Sequence, residues 1–364
     1  MRRRRSGVED RWIRADGQRT TRYGVGRRWR ARYVDERGRE HSAMFARKID
    51  AQHWLDGQVA SVVDGRHVAP ADAQLTVSQW CDMWLKGYAV NRESTVRQAR
   101  IHIRQIEAEF GQMPLSAVRP SQVKAWVAKL QADKVEPSYV YALHSRLSQI
   151  LSDAVHDGVL GRSPCSRRTS PPMGKQKPYV ATTQQVWAIH DAVPARLRAA
   201  VLLGAFAGLR VAEASALRVT DVDFIRGVVH PKQQWPDKPL KTAGSAAPIP
   251  IPRELTLMLS ASVQSFGGDM MVCGGAPWLI ERAIRDARAT VDGLPERFSF
   301  HDLRHYLASL LIASGADIKT VQARMRHASA RTTLDTYGHL WPDADESTRT
   351  AVGAVIKQRM VNRA

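Results

Sequence analysis

The chain is poor in cysteine. It has three in 364 residues, Cys81, Cys165 and Cys273, far apart and with no CxxC pair. That excludes a disulfide framework and a cysteine-based zinc module, and it fits a reducing cytoplasm. Long apolar runs are missing too. The longest, Ala199 to Leu209 between Arg198 and Arg210, falls well short of the ~20 residues that span a bilayer. Arg2 to Arg5 lead into no apolar stretch, so neither a secretory signal nor a membrane partner is expected. There is no HExxH, no DxD carboxylate group and no Walker-type glycine loop, so no metal and no cofactor are expected. Acid is scarce beside base: 35 Asp+Glu against 54 Lys+Arg, a formal net charge of +19. A field of that sign attracts polyanions, DNA foremost.

Pattern divides what is present into blocks. Residues 1–67 carry 17 Lys+Arg against 9 Asp+Glu, a net charge of +8. Trp29, Ala31 and Tyr33 alternate with Arg28, Arg30 and Arg32, the period of a strand with one charged face. Asp35 to Gly38 supplies a turn, His41 to Phe45 a returning strand, and Ile49 to Val63 a helix with Trp54, Leu55 and Val59 on one side. Arginines on the open face of such a sheet suit a DNA groove; a solvated face is the plainer reading.

Residues 74–160 read as four helices. Thr76 and Gln79 form a capping box, Gly111 is a helix stop, and Pro120 opens a helix. Val140, Leu143, Leu147, Ile150, Leu151 and Ala154 make an apolar stripe, read as core. Residues 161–178 combine four prolines with five basic residues and no acid. They are expected to be an extended linker, either a spacer or a track along a phosphate backbone. From 179 to 345 a helix capped at Thr182 leads to a helical run broken at Gly208. Strand-like stretches follow at Gly227 to His230 and Ala247 to Ile251, with a polar turn between them, and then more helix. The predicted class is multi-domain α+β, the last large domain mainly helical with a small antiparallel sheet. Residues 346–364 are a tail.

The reactive residues gather in 179–345. Arg210 stands in Ala-Gly-Leu-Arg-Val-Ala-Glu and Lys241 in Pro-Leu-Lys-Thr-Ala-Gly-Ser. His301 and Arg304 form an HxxR pair that shares a helix face. His327 follows Met-Arg, and Tyr337 lies ten residues further on. Singly each is weak. Together they fit transesterification at a phosphodiester. Two guanidiniums clamp the charge spread over the non-bridging oxygens. A tyrosine of free pKa ~10 needs a base or a cationic pocket to act as nucleophile. An imidazole can take that proton or donate to the phosphate, and a mobile lysine can protonate the leaving 5′-oxygen.

In this order, Arg, Lys, HxxR, His and Tyr, the third block resembles the catalytic domain of the tyrosine recombinases, as found in phage integrases and especially those of actinobacteriophages. The second block is similar to that family's helical, SAM-like core-binding domain. The first is similar, more loosely, to the arm-binding domain, a three-stranded sheet plus a helix. The resemblance implies a site-specific recombinase that integrates and excises a phage or mobile element at attachment sites. Tyr337 would attack and form a 3′-phosphotyrosyl link, and Arg210 and Arg304 would bind the phosphate. His301 would help take the tyrosine proton, His327 would bond the phosphate, and Lys241 would protonate the 5′-hydroxyl. Glu213, one turn past Arg210, would support the site. The implied partners are core-type and arm-type double-stranded DNA, a homotetramer on that DNA, a host DNA-bending protein and an excision directionality factor. The tail would pack on a neighbour or on its own domain.

The chain departs from the family pattern at three places. Arg326 stands where glycine usually precedes the histidine, and glycine there would suit a left-handed turn. Ala246 and Ala247 stand where an arginine is usual, which leaves Lys238 as an alternative to Lys241. Tyr306 follows HxxRH in place of a small residue and is expected in the core, not in the chemistry. A non-catalytic DNA-binding regulator, a type IB topoisomerase and a chromosome-dimer resolvase are the competing functions. The full reactive set opposes the first. The basic first block and separate helical clamp oppose the second, and the first block alone opposes the third.

Overall fold

The computed structural model describes residues 6–35, 38–64, 67–69, 72–174, 178–240, 242–265 and 271–341. The chain divides into two compact units, Met1–Lys175 and Gln176–Ala364.

The first unit opens with an antiparallel sheet of β1 (Gly7–Asp10), β2 (Trp29–Val34) and β3 (Glu40–Phe45), β2 central, with helix α1 (Lys48–Val63) behind it. Strand period decides the faces. Ala31 and Tyr33 are fully buried with Ala51 and Leu55 of α1, while Trp29, Phe45 and Trp54 pack around them. Val59, expected on this face, is exposed instead, because the helix turns Ala51, Leu55 and Val62 inward. The four expected helices follow as α2 (Val77–Tyr88), α3 (Glu93–Phe110), α4 (Pro120–Ala132) and α5 (Pro137–His156). The capping box is in place, Thr76 Oγ1 accepting from the Gln79 amide at 3.2 Å and Gln79 Oε1 from the Thr76 amide at 3.0 Å. Trp80 donates to the Ile150 carbonyl (2.9 Å) and Trp84 to Asp153 (2.6 Å), tying α2 to α5 through the indole nitrogens. Gly111 does end α3, yet at φ −52° and not in the left-handed region. It is required because a Cβ there would stand 2.6 Å from the Glu107 carbonyl.

The segment expected to be an extended linker is largely docked. Cys165 is buried in the helical core, and Thr169 Oγ1 lies 2.9 Å from Nε2 of the buried His144. That hydrogen bond satisfies a histidine whose pKa burial holds below the usual range.

The second unit begins at α6 (Thr183–Ala192), capped by Thr182 as expected. The long helical run becomes α7 (Arg198–Phe206) and α8 (Val211–Ser215), parted at Gly208 with φ +64°. A sheet of β4 (Val222–Asp223), β5 (Val228–Val229) and β8 (Ile249–Pro250) follows. What read as a polar turn holds its own hairpin, β6 (Gln233–Gln234) and β7 (Lys238–Pro239). Helices α9 (Arg253–Ser265), α10 (Pro277–Arg288), α11 (Phe300–Ala313), α12 (Ile318–Arg324) and α13 (Ala330–Tyr337) complete it. The main core joins α6, α7, α9, α10 and the start of α11. Helices α7 and α11 approach closely at Gly204, where a Cβ would meet Phe300 at 2.8 Å. A smaller core of Leu307, Ala308, Ile312, Val321, Met325 and Tyr337 joins α11, α12 and α13. Among the described residues no helix is long and apolar enough to cross a membrane.

Candidate active site

Arg210 caps α8 two residues after the left-handed Gly208. Its amide donates to Glu213 Oε2 (3.1 Å) and its Nη1 to Glu213 Oε1 (2.8 Å). Nη1 also reaches Ser245 Oγ at 3.3 Å, from the segment that follows Lys241. Glu213 is 3 % exposed. Burial alone would raise its pKa, but the adjoining Arg326 and Arg210 outweigh that and hold it below the usual range.

Arg326 is the residue that sequence reasoning undervalued. It takes the left-handed conformation anticipated for a glycine, φ +50°, just after α12. Its side chain then turns inward, donating to Glu213 Oε2 (2.6 Å), the Ser245 carbonyl (2.7 Å) and the Gly208 carbonyl (3.3 Å). Arg304, on α11, is 2 % exposed and donates to the Gly208 and Met325 carbonyls. Burial and the nearby Arg210 and Arg326 bring its pKa down to about 10, so it stays cationic at neutral pH. Three guanidiniums and one carboxylate thus share one network, buried at Arg304, Arg326 and Glu213 and half-exposed at Arg210, with a net positive charge suited to an anion.

Tyr337 ends α13 and is 1 % exposed. Its hydroxyl lies 2.6 Å from Nδ1 of His305, and its ring runs parallel to that of His327 at 6.3 Å. Burial pushes its pKa up to about 12, against the pull of Arg304. His327 Nδ1 is 2.9 Å from Thr333 Oγ1, which fixes the imidazole plane. Burial, Arg304 and Arg210 depress the His327 pKa to about 4, leaving the ring neutral. His301 does not touch Tyr337 directly. It is exposed, edge-on to His305 with centroids 4.7 Å apart. His305 was not singled out from sequence; its separation of four from His301 on one helix was the available signal.

Lys241 lies outside the described residues, as do 342–364 and with them the tail. Lys238 is described, exposed on β7 and paired in register with Gln234. Tyr306 is 5 % exposed, with its hydroxyl on Thr183 Oγ1 (3.1 Å) and its ring against Phe206, a core residue as expected. In the first unit, Arg28 pairs with Asp10 (2.7 Å) and Arg30 with Glu9 and Glu40 (3.4 Å each). Carboxylates therefore interleave the expected arginine face. One group there could hold a metal by geometry, Asp35, His41 and His67. Its atoms are already engaged: Asp35 accepts from Arg39 and lies 2.8 Å from His41, and His67 meets the Tyr33 hydroxyl at 3.2 Å.

Comparison with known proteins places this arrangement. Residues 278–343 match the phage integrase family, and residues 76–131 match its N-terminal SAM-like domain. The chain is 25 % identical over 337 residues to the prophage phiRv2 integrase of Mycobacterium tuberculosis, covering 84 % of this chain and 88 % of that one. It is 22 % identical to the integrase of Mycobacterium phage D29, covering 79 % and 83 %. By fold it is similar to the Tn1549 transposon integrase bound to transposon right end DNA, with TM-score 0.65 and 16 % identity over 77 % of this chain and 99 % of that one. A lambda integrase dimer bound to a COC′ core site gives TM-score 0.61 and 20 % identity over 91 % and 96 %. Fold and site define a tyrosine recombinase. Within that class, residues 278–343 and 76–131 are similar to the catalytic and SAM-like segments of the phage integrase family.

Proposed function

We propose that this enzyme integrates and excises a phage or mobile element by cutting and rejoining DNA at attachment sites through a 3′-phosphotyrosyl intermediate. The observation that carries the reading is the convergence at Tyr337. The one hydroxyl the family pattern marks as nucleophile ends a helix beside two imidazoles, with the Arg210–Glu213–Arg326 and Arg304 network next to it. Tyr337 attacks phosphorus and the 5′-oxygen leaves. Arg210 and Arg304 hold the non-bridging oxygens, favouring the transition state in which their charge grows. Neutral His327 donates to the same phosphate. Lys241 protonates the departing 5′-oxygen, with Lys238 the alternative. The phosphotyrosyl bond conserves the energy of the broken link, so rejoining needs no added energy source.

The substrate is double-stranded DNA of core and arm type. The helical block 74–160 grips the core sites, and the sheet with Arg28, Arg30 and Arg32 reads arm sites. The lambda enzyme has been seen as a tetramer bound to a Holliday junction, and a homotetramer is proposed here. A host DNA-bending protein and an excision directionality factor complete the proposed assembly. Plasmid recombination between candidate attachment sites tests the reading. The wild type should yield recombinants and Tyr337→Phe none. Relaxation of plasmids that lack attachment sites, at the same rate, would indicate a topoisomerase instead.

A further inference from the structure

The proposed chemistry leaves the tyrosine proton to be placed. His301, which the family pattern offers, is one helical turn from where it would be needed. What meets the hydroxyl is His305 Nδ1 at 2.6 Å, with the two rings edge to face at 5.5 Å. Exposure grades along the row. Tyr337 is 1 % exposed, His305 half-buried and His301 exposed, so the three rings lead from the buried nucleophile to solvent.

We propose that His305 is the first acceptor of the Tyr337 proton during strand cleavage; this rests on Tyr337 being the nucleophile. As the Tyr337 oxygen bonds to phosphorus, its proton passes to His305 Nδ1. The phosphorus–5′-oxygen bond breaks, and the 5′-oxygen takes its proton from the separate acid, Lys241 in the scheme above. The imidazolium then returns one proton to solvent on the side of His301. Nδ1 accepts in the neutral Nε2–H tautomer. Burial, then His301, Arg304 and His327, depress the ring's pKa to about 3, which makes it a weak base, so the proton moves in concert with formation of the oxygen–phosphorus bond. Those three and Tyr337, from α11, the α12–α13 turn and α13, are the titratable groups that face it.

The test uses the full chain, a nicked duplex carrying a candidate attachment core, and the rate of covalent capture from pH 6 to 9. His305→Phe keeps a ring without nitrogen; His305→Asn keeps an acceptor near Nδ1. His305→Phe should bind the duplex as the wild type does yet cleave about 10²-fold or more slowly at pH 7. Its rate should climb about tenfold per pH unit as hydroxide replaces the lost acceptor, where the wild type is flat. His305→Asn should recover at least about a tenth of the wild-type rate, and it carries the test if the phenylalanine variant melts early. A duplex whose leaving 5′-oxygen is replaced by sulfur, which leaves unprotonated, should not rescue His305→Phe. Wild-type cleavage by His305→Phe, a pH profile parallel to wild type, or rescue by sulfur each overturns the inference. Capture by Tyr337→Phe would instead overturn the assignment of the nucleophile.

Discussion

Arg326 donates to Glu213 across 113 residues of sequence at 2.6 Å, from a backbone conformation that glycine would hold more easily. The left-handed conformation costs a side-chain-bearing residue about 1 kcal/mol. Breaking a buried ion pair costs about 3–5 kcal/mol. The pair outweighs the strain. Arg326→Gly should therefore lower stability, and Arg326→Met should lower it by about 1 kcal/mol more, because methionine keeps the strain without the pair. Thermal melts of the full chain check the order. Equal melting of Arg326→Gly and wild type would count against the network.

Gly208 is constrained from two sides. It sits at φ +64°, a Cβ would stand 2.8 Å from Leu307, and its carbonyl accepts from both Arg304 and Arg326. Gly208→Ala should destabilise the catalytic unit by at least about 1 kcal/mol. It should also reduce cleavage more than stability alone explains, because Arg304 moves with that carbonyl. Covalent capture at a temperature where the variant is fully folded separates the two effects.

Much of this was legible in the sequence. The capping boxes at Thr76 and Thr182, the period-two pattern of β2 and the break at Gly208 are local signals, read from neighbouring residues. Arg210, the HxxR pair, His327 and Tyr337 stand out as a candidate site through their order along the chain; the structure sets His327 beside Tyr337 and Arg304 in the network with Arg326, while His301 is exposed and meets His305. His305 and Arg326 do not stand out, since their roles come from partners 32 and 113 residues away. The β6–β7 hairpin also escaped notice, because two-residue strands carry no measurable period. The docking of residues 161–174 is hidden for a related reason: their charge says nothing of Thr169 and Cys165, which hold the segment against the helices.

Acid should act on the half-buried imidazoles beside Tyr337. His305 and His327 have folded pKa values depressed to about 3 and about 4, below the 6.5 of the free side chain. Between those limits the unfolded chain binds more protons than the folded one, so stability is full above pH 6.5 and falls as pH drops toward 4. His102 and His144 shift in the same direction in the helical block. Melting temperatures at pH 7 and pH 5 should differ less in His305→Asn and His327→Asn than in wild type. An unchanged difference in both would place the acid sensitivity elsewhere.

On the N-terminal sheet proposed to read arm sites, carboxylates temper the arginine face, so each cation should contribute modestly. Arg30→Ala and Arg32→Ala should each weaken arm-DNA binding and lower the slope of log K against log salt by about 1 if the residue contacts a phosphate. Core-site cleavage should be unaffected. Salt titrations of binding measure this directly, and an unchanged slope in both variants would remove the sheet from the DNA interface.

The most direct test of the account is covalent capture on nicked candidate attachment duplexes, followed by mass mapping of the DNA-linked peptide. The prediction is a single 3′-linked adduct on Tyr337, absent in Tyr337→Phe. An adduct on Tyr306 or any other residue, or one that persists in Tyr337→Phe, would contradict it.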